Sequence, residues 1–306
     1  MTTAFTLRQK LLRRILELSK PMEPEPTYTP PVLQKMKGIK AVAFDFYGTM
    51  FMSGTGDTII DDPKNEESVA FKAAFETLLP SLSIQPDAVE GVQIYKRVIN
   101  DHKQAMKDEG VDYPEVEITE VWKDVLGRLR ACGNEELPAD PGQEFLEKLT
   151  IEFEMRNNPT WPMADLESTL QALAAKSLKL GILSNSQFYT PMIYEAHIET
   201  EPDQAYFDIN LCIWSYEERL CKPSLDFHKR LKTAFEAHYG IKPEEVLFVG
   251  NDMLKDIYPA HHFGFKTALF AGDQRSLKWR KDDPRVSDIS PDLVITRLYQ
   301  LVQCVG

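Results

Sequence analysis

The chain has 306 residues and a formal net charge of −12, with 43% hydrophobic and 27% charged residues. This composition is that of a globular protein with a substantial core, arranged as one large domain or two modest ones. The acidic balance argues against broad binding to nucleic acid or to anionic membranes, because both carry negative charge. A small anionic substrate stays open, since a basic site can lie inside an acidic protein.

Cysteine usage and apolar runs exclude further classes. The four cysteines are scattered and form no C-x-x-C pair, which argues against a disulfide framework or a zinc site and favours a reducing compartment. No apolar run approaches the roughly 18–20 residues that span a bilayer. The N-terminus has neither the apolar core nor the cleavage site of a secretory signal. We expect a cytoplasmic protein with no membrane span and no nucleic-acid partner.

The N-terminal segment, residues 1–37, contains two distinct patterns. Leucines and isoleucine recur at helical spacing among basic residues over 6–20, which predicts a basic amphipathic helix. We expect this helix to dock on its own fold or on a second subunit, so a homodimer is a candidate assembly. A role at a membrane surface is the alternative. The prolines between residues 21 and 31 predict an extended linker without regular structure.

The first strand signal is the run Ala41–Phe44, which ends in the carboxylate Asp45 and is followed at once by Gly48 and Thr49. A short apolar run of this kind is typical of a buried strand in a parallel sheet. Open α/β sheets build their sites at the carboxyl ends of their strands. We therefore expect Asp45 to lie at such a site.

A long helical segment follows this strand, and alternating strands and helices follow the helical segment. Turn signals separate helical patterns over 68–79, 88–109, 118–131 and 142–155. Strands are then predicted at 178–183, 211–214, 246–249, 266–270 and 293–295, with helices at 164–176, 223–238, 255–263 and 297–304. The predicted fold is an α/β doubly wound parallel sheet, formed by 38–55 and 160–306, with an α-helical subdomain inserted at 56–159.

Polar residues recur where the predicted strands end. Asp45, Ser184 and Asp252 follow three strands, and right-handed crossovers place these ends at one edge of the sheet. Lys222 precedes a helix that follows a further strand, and Asp256 lies one turn after Asp252. A carboxylate can act as a covalent nucleophile, and a lysine can neutralise it. The carboxylates repel one another, and an oxygen-preferring cation such as Mg²⁺ would relieve this repulsion.

The four stretches that carry these residues resemble, in order, the four motifs of the haloacid dehalogenase (HAD) superfamily. They read DFYGT, GILSNS, CKPSLDFH and VGNDMLKDIYPAHHFGFKT. The resemblance covers about 38–55 and 160–275, and it implies a Rossmann-like core in which the helical subdomain is a cap. It implies a hydrolase with an aspartyl-enzyme intermediate and a small-molecule substrate.

The resemblance also assigns roles to single residues. Asp45 matches the nucleophile, Thr49 supports its loop, Lys222 is the motif-three lysine, and Ser184 with Asn185 would bind the substrate's phosphate or carboxylate. The implied Mg²⁺ ligands are Asp45, the backbone carbonyl of Tyr47, Asp252 and Asp256, the last acting through water or by orienting the lysine.

Tyr47 departs from the phosphatase pattern. Most family phosphatases carry an aspartate two residues after the nucleophile, which protonates the leaving group and activates water. Tyrosine has an unperturbed pKa near ~10 and is a poor base near neutrality. The form D-x-Y-G-T is typical of the 2-haloacid dehalogenases, whose departing halide needs no proton.

The fourth motif points the other way. Dehalogenases carry a serine–asparagine pattern there and work without metal, whereas Asp252 and Asp256 keep the D-x-x-x-D spacing of a metal-binding loop, with Asn251 in place of one acidic residue. The leading hypothesis is Mg²⁺-dependent hydrolysis of a small phosphorylated metabolite. The alternatives are a metal-independent 2-haloacid dehalogenase and a binding or regulatory protein of the same fold with weak catalysis.

Overall fold

The computed structural model describes residues 5–56 and 66–306 and divides the chain into two compact units. One unit comprises Met1–Lys20 and Thr58–Pro159 and is helical, and the other comprises Pro21–Asp57 and Thr160–Gly306 and contains the main sheet. The first residues of the predicted insertion, at 57–65, lie outside the described residues.

The sheet unit is built on six parallel strands in the order β5-β4-β1-β6-β7-β8. These strands are β1 (Ala41–Phe44), β4 (Lys179–Ser184), β5 (Cys212–Trp214), β6 (Val246–Gly250), β7 (Lys266–Phe270) and β8 (Leu293–Ile295). The α-helices of this unit are α6 (Leu166–Ala175), α7 (Tyr189–Ile198), α8 (Pro202–Ala205), α9 (Ser215–Glu218), α10 (Leu225–Tyr239), α11 (Tyr258–His262) and, after the last strand, α12 (Gln300–Cys304). The predicted doubly wound parallel sheet is confirmed.

Strand β1 lies inside the sheet because all four of its residues are apolar. Each of them is fully buried, and the strand pairs in parallel with β4 on one side and β6 on the other. The chain order runs away from β1 in both directions, so β1 lies where the sheet reverses its winding. The carboxyl end of β1 is therefore the expected position for a site.

The proline-rich segment, predicted as an extended linker, forms no helix or strand over 21–31 and is attached along the sheet unit. Thr27 donates its hydroxyl to the carbonyl of Ala271 at 2.7 Å. Val32 pairs antiparallel with Val294 of β8 through two backbone hydrogen bonds of 2.9 and 3.0 Å. Proline has no backbone N–H to donate, but neighbouring residues such as Val32 can still bond to an edge strand. The segment therefore covers one edge of the sheet.

The helical unit is a bundle around aromatic side chains. It contains α1 (Leu7–Leu18), α2 (Glu66–Leu78), α3 (Ala88–Asp108), α4 (Ile118–Ala131) and α5 (Gln143–Asn157). Trp122 is fully buried, with its ring 4.8 Å from that of Tyr95 and 5.1 Å from that of Phe153. The hydroxyl of Tyr95 donates to Glu154 at 2.7 Å, which satisfies both buried groups.

Helix α1 belongs with this bundle rather than with the segment that follows it. Leu11 and Ile15 are buried, and α1 packs against α5. Arg14 donates to both carboxylate oxygens of the buried Glu152, at 2.5 and 3.0 Å. The apolar stripe of α1 therefore has its partner in the helical unit.

Some elements differ from the predicted ones. Helix α7 was not predicted, and residues 253–257 form a π-helical turn where an α-helix over 255–263 was expected. Two short antiparallel strands, β2 (Phe51–Ser53) and β3 (Thr160–Pro162), join the segments on either side of the insertion. Each of these segments contains a polar residue or a proline, so neither shows the continuous apolar run that indicated β8. Within the described ranges, no helix has the length and apolar character needed to cross a membrane.

The packing of α1 can be tested at adjacent positions. Ile15→Ala should reduce the free energy of unfolding by about 2–5 kcal/mol, because it removes a fully buried side chain. Leu16→Ala is the matched control: Leu16 is 47% exposed, so its loss should change stability by less than about 0.5 kcal/mol. Urea unfolding followed by circular dichroism measures both, and equal effects would contradict this packing.

Candidate active site

Three charged side chains meet at the carboxyl end of β1. Asp45 directly follows the strand, and its backbone N–H donates to the carbonyl of Val249 in β6 at 2.9 Å. Lys222 places its Nζ 2.5 Å from Asp45 Oδ1 and 2.7 Å from Asp256 Oδ1. All three side chains are at least nine-tenths buried. The parallel register thus assembles Asp45, Lys222 and Asp256 as the sequence predicts.

The burial of this cluster changes its proton affinities. Burial alone would lower the pKa of Lys222, but the carboxylates of Asp256 and Asp45 outweigh it and raise that pKa above its usual value. Burial raises the pKa of Asp256 to about 7, with Asp45 and Asp252 adding to the rise and Lys222 opposing it. Lys222 is therefore protonated, and its single positive charge does not balance the negative charge of the carboxylates around it.

Thr49 joins the loop after β1 to the loop after β6. Its hydroxyl donates to Asn251 Oδ1 at 3.0 Å, and Asn251 Nδ2 donates to the carbonyl of Ser276 at 2.6 Å. Gly48 lies between these groups with φ +78°, and a Cβ there would come within 2.5 Å of Ser276 Cβ. Thr49 therefore supports the loop through a side-chain bond that the sequence did not reveal.

Asn185 positions the backbone of the lysine. Its Oδ1 accepts from the N–H of Lys222 at 2.7 Å, and its Nδ2 donates to the carbonyl of Lys222 at 3.4 Å. Ser184 is fully buried, and its hydroxyl donates to the carbonyl of Asn185 at 3.1 Å. These contacts give Asn185 a supporting role, beside the substrate-binding role that the sequence predicts for both residues.

Tyr47 is attached to the start of α7. Its hydroxyl lies 2.9 Å from Thr190 Oγ1, which also accepts from the backbone N–H of Gln187 at 3.1 Å. A tyrosine hydroxyl engaged in this way is poorly suited to move a proton at neutral pH. Thr190 carries no motif, so its contact with Tyr47 could not be found from the sequence.

Asp252 is engaged on both sides. Its Oδ1 accepts from the backbone N–H groups of Leu254 and Lys255 at 2.8 and 3.1 Å, so it caps the π-helical turn. Its Oδ2 accepts from the guanidinium of Arg280 at 2.6 Å. Its own N–H donates to Asp256 Oδ2 at 3.0 Å. Arg280 lies in a separate loop. Sequence reasoning missed it because it belongs to none of the four motifs.

The donor chemistry of the cluster fits Mg²⁺. No three His, Cys, Asp or Glu side chains of residues 5–56 and 66–306 converge closely enough to hold an ion by themselves. Mg²⁺ does not require this, because it is commonly bound by one or two carboxylates together with water and substrate oxygens. Burial, and then the charges of Asp45 and Asp252, raise the pKa of Asp256, so positive charge added beside it would favour its ionised form.

The fold and the cluster define an α/β protein whose polar side chains meet where a parallel sheet reverses its winding. The family of haloacid dehalogenase-like hydrolases matches residues 39–264. The chain therefore belongs to this family of hydrolases, and the predicted membership is confirmed.

Individual relatives are more distant. The chain is 34% identical over 138 residues to a glyceraldehyde 3-phosphate phosphatase of Methanocaldococcus jannaschii, a match that covers 45% of this chain and 53% of that protein. The match thus spans about half the length of this curated relative.

Solved structures agree with the fold. A 2-haloacid dehalogenase from Pseudomonas syringae pv. tomato superposes with a TM-score of 0.55 at 18% identity, over 87% of this chain and 97% of the other. A defluorinating L-2-haloacid dehalogenase superposes with a TM-score of 0.51 at 18% identity, over 89% and 98%. At such identities the likeness shows a shared fold.

The tight turn after Asp45 can be tested with two glycines of nearly equal φ. Gly48→Ala should destabilise the protein by about 2–5 kcal/mol, from left-handed strain plus the overlap with Ser276 and Asn251. Gly38→Ala has φ +79° but nothing within 4 Å of the new Cβ, so it should cost only the strain, about 1–2 kcal/mol. Chemical denaturation compares the two, and an equal loss would show that the overlap is relieved freely.

Proposed function

We propose that the protein hydrolyses a small phosphorylated metabolite through an aspartyl phosphate on Asp45. The observation that carries this proposal is the buried contact of Lys222 Nζ with Asp45 at 2.5 Å and with Asp256 at 2.7 Å. A carboxylate at the end of a central strand, paired with a charged lysine, is suited to form and release an ester. The phosphatase activity of the M. jannaschii relative supports the choice of phosphorus as the atom attacked.

The first step forms a bond between an Asp45 carboxylate oxygen and phosphorus while the bond from phosphorus to the leaving oxygen breaks. The leaving alkoxide takes a proton from solvent, since Tyr47 has no carboxylate to supply one. Lys222 neutralises the nucleophile and the charge that grows on the phosphoryl oxygens. Water then attacks the phosphorus of the aspartyl phosphate and loses a proton to solvent, while the bond from phosphorus to the Asp45 oxygen breaks. This step releases inorganic phosphate and restores the Asp45 carboxylate.

Magnesium belongs to the same proposal. Asp45, the backbone carbonyl of Tyr47 and Asp252 would hold it, with Asp256 acting through water or by orienting Lys222. When bound, it would add positive charge beside the transferred group. Ser184 would contribute to holding that group, and Asn185 would act through the backbone of Lys222.

The helical unit is proposed to act as the cap over this chemistry. The support is its place in the sequence, as an insertion that follows β1 and its nucleophile, and its independent aromatic core around Trp122. Such a cap would select the substrate.

The cytoplasm is the proposed compartment.

Metal-independent 2-haloacid dehalogenation is a second candidate, and the position of Tyr47 favours it. The hydroxyl of Tyr47 is bonded to Thr190, and a departing halide needs no proton. In that reaction Asp45 would attack carbon, halide would leave, and Ser184 with Asn185 would hold the substrate carboxylate.

A binding or regulatory role with weak catalysis is the third candidate, since Tyr47 stands where family phosphatases carry the acid/base aspartate.

Paired assays separate these candidates. p-Nitrophenyl phosphate and L-2-chloropropionate are each incubated with Mg²⁺ and with EDTA, and phosphate and chloride are measured. The proposal expects phosphate release that needs Mg²⁺ and no chloride release. Phosphate release that survives EDTA would contradict the role of the metal, and chloride release in EDTA would establish the second candidate. Turnover of neither, nor of a panel of phosphorylated metabolites, would favour the binding role.

The nucleophile is tested by Asp45→Asn, which keeps the shape of the side chain but removes its charge. Turnover should fall below detection, because the amide cannot form the ester, while circular dichroism should be unchanged. Asp288→Asn is the control, since Asp288 is exposed and should leave the rate unaltered. Wild-type rates in Asp45→Asn would show that another group attacks.

The missing acid/base group is tested by Tyr47→Asp. If proton transfer limits the reaction, kcat for phosphate esters with poor leaving groups should rise by at least about 10²-fold. Tyr47→Phe removes the bond to Thr190 without adding a carboxylate, so it should show no such rise. A rise in neither variant would leave Tyr47 as a residue that shapes the site.

A further inference from the structure

Arg280 makes a forked contact with Asp252. Its Nη2 lies 2.6 Å and its Nε 3.1 Å from Asp252 Oδ2, and Nε lies 3.3 Å from Oδ1. The carboxylate side chain is 3% exposed and the guanidinium side chain 32% exposed. A buried anion is therefore neutralised by a cation that reaches it from the protein surface.

The backbone brings Arg280 to this position. Lys278 pairs with the loop after β6 through two hydrogen bonds, one from its N–H to the carbonyl of Asn251 at 3.0 Å and one from the N–H of Met253 to its carbonyl at 2.9 Å. Arg280 follows two residues later with φ +47°, a conformation that few residues other than glycine adopt. The loop geometry thus directs a side chain onto the motif-four carboxylate.

The charges of the cluster divide between two cations. Lys222 contacts Asp45 and Asp256, and Arg280 contacts Asp252. An arginine and a divalent metal ion compete for the same carboxylate oxygens, because each is stabilised by the same negative charge. The partial exposure of Arg280 lets its head group turn to solvent while Asp252 stays in place.

We infer that Arg280 competes with Mg²⁺ for the carboxylate of Asp252. It neutralises Asp252 when no metal is bound and thereby weakens the binding of Mg²⁺ there. This inference rests on the proposed function, which makes Asp252 a metal ligand. It assigns to Arg280 the control of metal affinity rather than a contact with the substrate. A purely structural ion pair would stabilise the fold but would leave the affinity for Mg²⁺ unchanged.

The test measures metal binding by the full-length protein without substrate. Arg280→Gln keeps a hydrogen-bond donor but removes the charge, and isothermal titration with MgCl₂ after removal of metals by chelation gives the dissociation constant. We expect Mg²⁺ to bind on the order of tenfold more tightly to Arg280→Gln than to the wild type. Arg285→Gln is the control, because Arg285 pairs with Asp283 and should leave the affinity unaltered.

Thermal unfolding supplies a second readout. In EDTA, Arg280→Gln and Arg280→Ala should melt below the wild type, because the buried carboxylate of Asp252 then has no cation to neutralise it. Saturating Mg²⁺ should raise the Tm of these variants by more than it raises the Tm of the wild type. Unchanged or weaker Mg²⁺ affinity in Arg280→Gln, or no Mg²⁺ binding by either protein, would overturn the inference. Tighter Mg²⁺ binding without phosphatase turnover would instead uphold it and contradict the proposed substrate.

Discussion

The arrangement of the sheet unit depends on neutralising carboxylates that are buried together. Asp45, Asp252 and Asp256 are each no more than 5% exposed, and such groups are stable only when cations or hydrogen-bond donors surround them. Lys222 supplies one cation and Arg280 the other. Removing either would leave an uncompensated buried charge, so the stability of the fold and the composition of the site are linked.

The loops around the cluster are connected to one another as well as to the strands. Thr49 bonds Asn251 across two loops, and Asn185 bonds both backbone groups of Lys222. These side chains need not touch a substrate to matter, because they set the position of residues that would. A polar residue beside a motif can thus serve the site through its neighbours.

The strong signals in the sequence were local ones. The apolar run of β1, the motif spacing and the strand–helix alternation predicted the parallel sheet and brought Asp45, Lys222 and Asp256 to one edge. What could not be predicted depends on contacts between distant segments. Arg280 reaches Asp252 from a loop that has no periodicity, and Thr190 reaches Tyr47 from a helix whose pattern was not recognised. The packing of α1 against α5 could not be predicted either, because an apolar stripe shows that a helix is buried but not which surface buries it.

The packing of α1 has a consequence for how the chain can be divided. The helical unit is assembled from two separate pieces of sequence, Met1–Lys20 and Thr58–Pro159, with part of the sheet unit encoded between them. Deleting only the internal piece would expose the buried side chains of Leu11 and Ile15 and create an aggregation-prone apolar surface on α1. A minimal version of the sheet unit would therefore begin near Pro21 rather than at the first residue.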